Sequence, residues 1–595
     1  MFNEGGAMKT IDIRSIEVGG EIGRRIDITA KNNILAIDIQ RDFIQPFRDK
    51  WDKDKELGDY VGLGKFIDAL TRLAAYKQDE ELTNLRDSVI NQILALQEQN
   101  GYIGIMPLDY RFNRLWDIHE ISYMIFGLVS DYRYWKEVKS LAAACRLADY
   151  LMEQWKAAPQ DLPEIYIGTL GSEEAFLALY EQTQDQRYLE FLTEFRKFQD
   201  WDRPIVKGRL EHVDGHIYDY LSRLIARFKL SKCLNVPALL ATIHQTVDFM
   251  LNQDAMVITG AAGENECWQD TQEGLGNLGE TCATAYWIRL LDILLQETSN
   301  SLYGDVMERT IFNGLFAAQS PDGRKIRYYV PFDGPKRYFP LDTYCCPNNF
   351  RRIISELPEM IYYRTVDGVA INLYTASKAT IDLDNNTSVT IRQETDYPHS
   401  GQIHIAIDPS MSVRFVLKLR IPKWCAGAGT QVKVNHQTIT TSASAGSFFE
   451  IERLWSAGDA IELNLPMGYR LIKGRKAQKG RAAVMKGPIV FCFNPSQNTE
   501  ITRSDMRLIA FDPSLVESMD SKDVMHPNGH ACCIKAWGPY KHAPENSPEL
   551  KLYLTDFADP DGEFVYFRVV DENAGNLVED ELTQLELGRR EEVAK

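Results

Sequence analysis

At about Tyr363 the chain changes its hydrophobic period, and that switch constrains the fold more than any other feature. From about Gly62 to Tyr363 apolar residues recur at helical spacing, in segments such as GLGKFIDALTRLAAYK, LTNLRDSVINQILALQEQ and CATAYWIRLLDILLQ. Roughly eleven or twelve such segments are joined by short Gly, Pro and Asp breaks, the loop length of antiparallel helix pairs. Six helical hairpins closing into an (α/α)6 barrel would use that number.

After Tyr363 the period falls to two, in VAINLYTA, SVTIRQET, QIHIAID, VRFVLKLRI and AIELNLPM, bounded by turn-forming dipeptides. The predicted fold is therefore multidomain α and β, an (α/α)6 barrel followed by one or two C-terminal antiparallel β-sandwiches. An early strand pair, KTIDIRSIEVGGEIGRRIDITA, is expected to pack back on them. For 595 residues this gives strands over 1–30, a barrel over 31–364, a sandwich over 365–470 and a second β-rich domain over 471–595.

The net charge of −18 disfavours phosphate backbones and anionic membrane surfaces, and no basic patch offsets it. Neither a basic leader followed by an apolar run nor a stretch of 18 apolar residues occurs, so a cytoplasmic protein without nucleic-acid or membrane partners is expected. Two of the ten cysteines' placements, Cys345-Cys346 and Cys532-Cys533, are adjacent pairs, unlike a disulfide framework. Reduced thiols, some of them working, fit better.

The segment around Gly279-Glu280-Thr281-Cys282 offers a carboxylate and a thiol at a helix start, with Thr281 available as a cap. Some sixty residues on, Cys345 and Cys346 precede Pro347, which suits the first turn of another helix. Three thiols and a carboxylate at two helix N-termini can surround one tetrahedral ion, and such donors suit zinc. The spacing is not that of a zinc ribbon or finger, and buried structural cysteines are the alternative.

With ETCA at Glu280–Ala283 and CCPNN at Cys345–Asn349, the sequence resembles the bacterial β-L-arabinofuranosidases of glycoside hydrolase family 127. The resemblance extends to His119-Glu120, to Gly215-His216 and to the helical-then-β order. It implies a zinc ion bound by Glu280, Cys282, Cys345 and Cys346, and Cys345 as nucleophile of a retaining mechanism. A thiolate, not a thiol, is the species covalent catalysis needs.

The resemblance also implies a general acid/base glutamate upstream of ETCA, followed two residues on by an aromatic. Glu266-Cys267-Trp268 fits that local pattern, whereas Glu264 fits the spacing to Glu280. Glu266 is favoured, because an aromatic wall raises a carboxyl pKa toward a general acid's range. The family's D-Y-x-L-P-N stretch is replaced by residues 269–274 and its C-A-C-C by Thr343-Tyr344-Cys345-Cys346, so the sugar-reading loops differ while the zinc and nucleophile set is intact.

His119 and His216 each begin a predicted helix facing the barrel mouth and are candidates to bind sugar hydroxyls, or else helix-end and core residues. Trp268, Tyr338 and Tyr344 flank the same segments and are candidates to stack on a sugar ring, or else to pack. Cys532-Cys533 beside His526 and His530 is read as strand filler rather than a second metal site, and Cys145, Cys233, Cys425 and Cys492 as core. The expected function is a zinc-thiolate glycosidase releasing a terminal sugar from plant-derived carbohydrate, with a homodimer compatible. A lyase or unsaturated-uronyl hydrolase on a helical toroid, and a non-catalytic carbohydrate binder with structural zinc, are the competing readings.

Overall fold

The structure, a computed structural model, describes residues 8–52, 60–112, 116–158, 170–208, 215–383, 386–426, 429–440, 443–501, 503–519, 529–538, 550–571 and 573–583. The helical period before Tyr363 forms a ring of six inner helices: Leu63–Lys77, Asp117–Trp135, Ser172–Thr183, Ile217–Leu234, Thr281–Thr298 and Cys345–Glu356. Each packs on the next and the last packs on the first, closing an (α/α)6 barrel. They are buried nearly all round, as helices with neighbours on every side must be, and polar side chains such as Asp68, Arg72 and Arg352 are buried with the apolar ones. Close approach of the first two rests on glycine: a Cβ on Gly64 would lie 2.2 Å from the Tyr123 backbone, and one on Gly127 2.4 Å from the Gly64 carbonyl.

Each inner helix is backed by an outer one, among them Glu80–Ala95, Val138–Ala157, Ala241–Asn252 and Ser301–Thr310. The outer partner of the last inner helix is Gly20–Asn32. Its sequence is half of the expected early strand pair, and the structure corrects that reading. Ile22, Ile26 and Ala30 are buried at helical spacing, which outweighs the local Ile26-Asp27-Ile28 alternation. Only Lys9–Thr10 and Ile16–Val18 are strands, and they join two different sheets.

Beyond the barrel lie a five-stranded sheet, in the order Lys9–Thr10, Tyr362–Arg364, Gly368–Ile371, Val413–Ile421, Ser447–Trp455, and a seven-stranded one running from Gln437–Thr438 to Ile16–Val18. An eight-stranded C-terminal sheet closes on itself, because Ile489–Phe493 pairs with both Arg481–Lys486 and Leu550–Asp556. Buried ion pairs tie these parts to the barrel. Arg420, fully buried, bonds Asp305 and Glu308 of the Ser301–Thr310 helix, and Arg309 of that helix bonds Asp580 at 2.7 Å.

Because an outer helix separates each inner helix from the next, all six inner helices run the same way. Their N-termini therefore gather at one mouth of the barrel.

Candidate active site

Four donor groups meet at that mouth. Glu280 is the N-cap of Thr281–Thr298, Cys282 lies in its first turn, and Cys345 and Cys346 open Cys345–Glu356. One ligand atom from each lies within 4.8 Å of all the others. The Cys282 and Cys346 sulfurs are 3.1 Å apart, and Cys346 Sγ is 3.5 Å from Glu280 Oε1. Thr281 is not the cap: its hydroxyl donates to the Arg327 carbonyl at 2.8 Å.

The three thiols are free of disulfides, and of the four donors Cys345 alone is half-exposed. Glu280 is 2 % exposed, and its Oε2 has no hydrogen-bond partner among the described residues. Burial pushes the Glu280 carboxyl well up, helped by the charges of Glu266 and Cys345, and pushes the Cys282 and Cys346 thiols well up too. Burial would raise Cys345 likewise, but thiol hydrogen bonds from Cys282 and Cys346, the charge of Lys65 and the Tyr328 hydroxyl together hold it well below the usual thiol range. Three sulfurs and an orphaned carboxylate oxygen around one centre are a donor set that could hold a metal ion, and soft sulfur suits a zinc-like one.

Glu266 faces this set from a turn. Glu264 and Cys267 exchange both backbone hydrogen bonds at 3.0 Å, and between them Asn265 and Glu266 are both left-handed, at φ 50° and 69°. This is a two-residue hairpin turn. The Glu266 carbonyl accepts from Ile217 N–H at 2.9 Å, docking the turn on the Ile217–Leu234 helix. Its carboxylate accepts from the Tyr328 hydroxyl at 2.5 Å, and that hydroxyl is 3.6 Å from Cys345 Sγ. The Glu264 side chain lies instead over Gly276.

His216 caps Ile217–Leu234, its Nδ1 accepting from Asp219 N–H at 3.2 Å. That bond leaves the proton of the neutral ring on Nε2, which lies 3.9 Å from Glu266 Oε2. His216, Glu266 and Glu280 also lie within 4.8 Å of one another, but an Nε2 that carries a proton is a donor, not a metal ligand.

Trp268 is corrected. It is fully buried, edge-on to Tyr220 and Phe249 in the core, and offers no face to a ligand. The aromatic beside Glu266 is Tyr328, which the sequence reading missed. His119 is 1 % exposed with both ring nitrogens engaged: Nδ1–H donates to the Leu170 carbonyl, and Nε2 accepts from Lys65 Nζ, each at 3.0 Å. Lys65, also missed, is a fully buried ammonium beside the rings of Tyr60, Tyr123 and Tyr218, and burial lowers it to about 8. No carboxylate pairs with it among the described residues.

Tyr344 precedes the nucleophile candidate at φ 88°, a left-handed value rare for a side chain of this size. Its ring lies in the wall of a cavity of about 750 Å³, with Tyr328, Tyr329, Tyr338 and Phe339. Away from the site, Cys532 and Cys533 are buried in the Ala531–Trp537 strand, the His530 ring lies 4.2 Å from that of His399 at a tilt of 53°, and His526 lies outside the described residues. Cys425 and Cys492 are core as expected, whereas Cys145 and Cys233 are half-buried. No helix among the described residues is long and apolar enough to cross a membrane.

Comparison with known proteins bears on this geometry. Residues 32–359 match the glycoside hydrolase family 127 catalytic domain, described as β-L-arabinofuranosidase, and residues 368–467 match the middle domain of the same family. The chain is 25% identical over 555 residues to the non-reducing end β-L-arabinofuranosidase of Bifidobacterium longum subsp. longum, covering 78% of this chain and 81% of that one. A family 127 β-arabinofuranosidase structure superposes with a TM-score of 0.81 at 23% identity, over 95% of this chain and 98% of that one. A family 127 β-L-arabinofuranosidase from Geobacillus stearothermophilus T6 gives 0.75 at 23%, over 93% and 100%. At these identities the two structures speak to the fold.

Proposed function

The chain belongs to glycoside hydrolase family 127, and from that premise we propose that it is a retaining, cysteine-dependent glycosidase that removes a terminal β-L-arabinofuranosyl unit. The observation that carries the reading is the Tyr328 hydroxyl, shared between Glu266 and Cys345. It lies 2.5 Å from the carboxylate and 3.6 Å from the sulfur, so those two atoms can be no farther apart than the two distances laid end to end, roughly 6 Å. Inverting enzymes keep roughly 6.5–9.5 Å between their catalytic groups to admit a water, and retaining ones about 5–5.5 Å.

In this reading Cys345 thiolate attacks the anomeric carbon as the glycosidic C–O bond breaks, and the departing oxygen takes the proton of Glu266. Glu266, now a carboxylate, then takes a proton from water while the water oxygen displaces Cys345 from the anomeric carbon. Two inversions leave the configuration retained. Tyr328 fixes the carboxyl rotamer, and the Nε2–H of His216 donates either to Glu266 or to a sugar hydroxyl between them. A zinc ion held by Glu280, Cys282, Cys345 and Cys346 would supply the positive charge that lets neighbouring thiolates coexist in a buried site.

The test combines metal analysis with two variants. Cys345→Ser should abolish turnover on good and poor leaving groups alike. Glu266→Gln should cost about 10²–10⁴-fold on natural leaving groups and far less on activated aryl glycosides, which need no proton. Substantial activity in Cys345→Ser would refute the covalent step.

A further inference from the structure

The two cysteines that open the Cys345–Glu356 helix are adjacent, yet they face different ways: Cys345 is half-exposed and Cys346 is fully buried. Consecutive side chains on a helix diverge by about 100°, so only one of the pair can face the mouth. Which one does so depends on the rotation of the helix about its own axis, and that rotation is set where the helix begins. We propose that Asn348 is a positioning residue whose side-chain amide fixes this rotation, turning Cys345 toward the substrate and keeping Cys346 among the buried donors; the inference rests on Cys345 being the nucleophile.

The amide is fully used. Its Nδ2 carries two N–H groups, one donating to the Tyr344 carbonyl at 2.9 Å and the other to the Val61 carbonyl at 3.3 Å. Its Oδ1 accepts from Arg351 Nη1 at 2.6 Å, and because a guanidinium only donates, this bond settles which end of the amide faces which way. Tyr344 N–H donates to the same Val61 carbonyl at 3.1 Å. Both peptide groups of Tyr344 are thereby pinned. Its φ of 88° requires as much, since a side chain of this size stays in the left-handed region only where its surroundings over-determine it.

The anchor is itself held firmly. Val61 lies just before the first inner helix, and the fully buried Glu120 carboxylate accepts the N–H groups of Val61, Gly62 and Leu63 at 2.9, 2.8 and 3.0 Å. Arg351, also fully buried, donates further to the Asp342 carbonyl at 2.7 Å and to Asn33 Oδ1 at 2.6 Å. Gly62 completes the fit, because a Cβ there would lie 2.6 Å from Asn348 Nδ2. One amide thus ties the start of the first inner helix to that of the last, within a turn of Cys345. Closing the ring asks only for packed helices; it does not ask for a strained residue beside a thiol.

Two variants reach the amide from opposite sides. Asn348→Asp keeps the shape and removes both N–H donors, and Gly62→Ala pushes on the amide without altering the Cys345–Glu356 helix. Each should lower kcat on an aryl β-L-arabinofuranoside about 10²-fold, the cost of misplacing a reacting atom by about 1 Å, with KM and bound metal per chain near native. Iodoacetamide reads the orientation without turnover. Peptide mass mapping of native protein should find Cys345 alkylated well ahead of Cys346, and both variants should narrow that difference. Native kcat in both variants, or Cys346 alkylated as fast as Cys345 in native protein, overturns the inference and leaves the glycosidase reading intact. A kcat that falls only in step with bound metal, or failure of both variants to fold, would make the amide a structural brace and overturn the inference as well. Selective alkylation of Cys345 that both variants abolish, in a protein that cleaves no arabinofuranoside, would instead sink the glycosidase reading alone.

Discussion

Glu266 occupies a backbone position that suits glycine, and the energetic consequence can be measured apart from catalysis. At φ 69°, in the second place of a two-residue hairpin turn, any residue with a Cβ pays about 1–2 kcal/mol of steric strain. Replacing Glu266 with Ala or with Gly removes the same hydrogen bond to Tyr328, so that loss cancels between the two variants. What differs is the strain, relieved only in Gly, set against about 0.4–1 kcal/mol of extra freedom that Gly gives the unfolded chain. Glu266→Gly should therefore be more stable than Glu266→Ala by about 1 kcal/mol, the reverse of the order in helices and strands. With an unfolding entropy of about 2.1 cal/mol/K per residue, a barrel of this size shifts its midpoint by about 1.5 °C per kcal/mol. Differential scanning calorimetry of both variants in the same buffer resolves such a shift. Both should lose activity on natural leaving groups by about 10²–10⁴-fold. An Ala variant as stable as the Gly one would refute the left-handed turn, and a Gly variant that still cleaves natural substrates would refute the role of the carboxyl.

Cys282→Ser should lower bound metal per chain, read by elemental analysis, and lower the thermal midpoint, since metal binding contributes folding free energy; native protein that is metal-free and indifferent to chelators would sink the zinc reading. Arg420→Met should destabilise by about 3–5 kcal/mol, because it leaves the buried Asp305 and Glu308 carboxylates without their cation. A midpoint unchanged in that variant would show that the pair does not hold the β-sheets to the barrel. Burial and the neighbouring His399 push His530 down to about 3 from an ordinary 6.5. A group with a depressed folded-state pKa contributes stability in full above its unfolded value, so this contribution should be present above pH 6.5 and fade as the pH falls toward 3. His530→Gln should flatten the dependence of the thermal midpoint on pH across that window; parallel profiles would count against it.

Periodicity made the architecture legible. The inner helices were visible because a buried helix carries apolar residues in every turn, and the strands because their faces alternate. Gly20–Asn32 was misread because Ile26-Asp27-Ile28 alternates locally over a pattern whose true spacing is four. The metal-type set was legible as well, since Glu280, Cys282, Cys345 and Cys346 are close in pairs and only one helix-to-helix contact was needed to join them. What the sequence concealed is orientation. Glu266 and Trp268, two apart, share a face only in an extended strand. The left-handed turn at Asn265-Glu266 breaks that relation and sends Trp268 into the core, while Tyr328, distant in sequence, takes its place. An Asn-Glu turn carries no ordinary turn signature, because glycine is the expected second residue.

A subtler signal was present in the helix caps. Four outer helices begin with ordinary side-chain caps, Asp79, Glu137, Asp185 and Asn300 each accepting a backbone N–H of the turn they open, while Gly20–Asn32 and Ala241–Asn252 begin without one. The six inner helices begin instead after Gly62, Trp116, Gly171, His216, Glu280 and Tyr344, and of these only His216 makes a side-chain cap bond. Leaving a side-chain cap out costs about 0.5–2 kcal/mol where the residue is not glycine and only about a few tenths at Gly62 and Gly171, so its omission from five of six inner helices is not a neutral choice. The groups found there instead do other things: Glu280 joins the three sulfurs, Tyr344 lines the cavity, and Glu120 reaches across to accept three N–H groups at the start of Leu63–Lys77. The uncapped ends point the positive poles of their helices at one mouth, where thiolate and carboxylate must be stabilised together. Stability surrendered at five of the six inner helix starts thus marks the mouth that gathers Glu280, Cys282, Cys345 and Cys346, and it is written in the sequence as cap positions that hold Gly, Trp, Glu or Tyr in place of Ser, Thr, Asp or Asn.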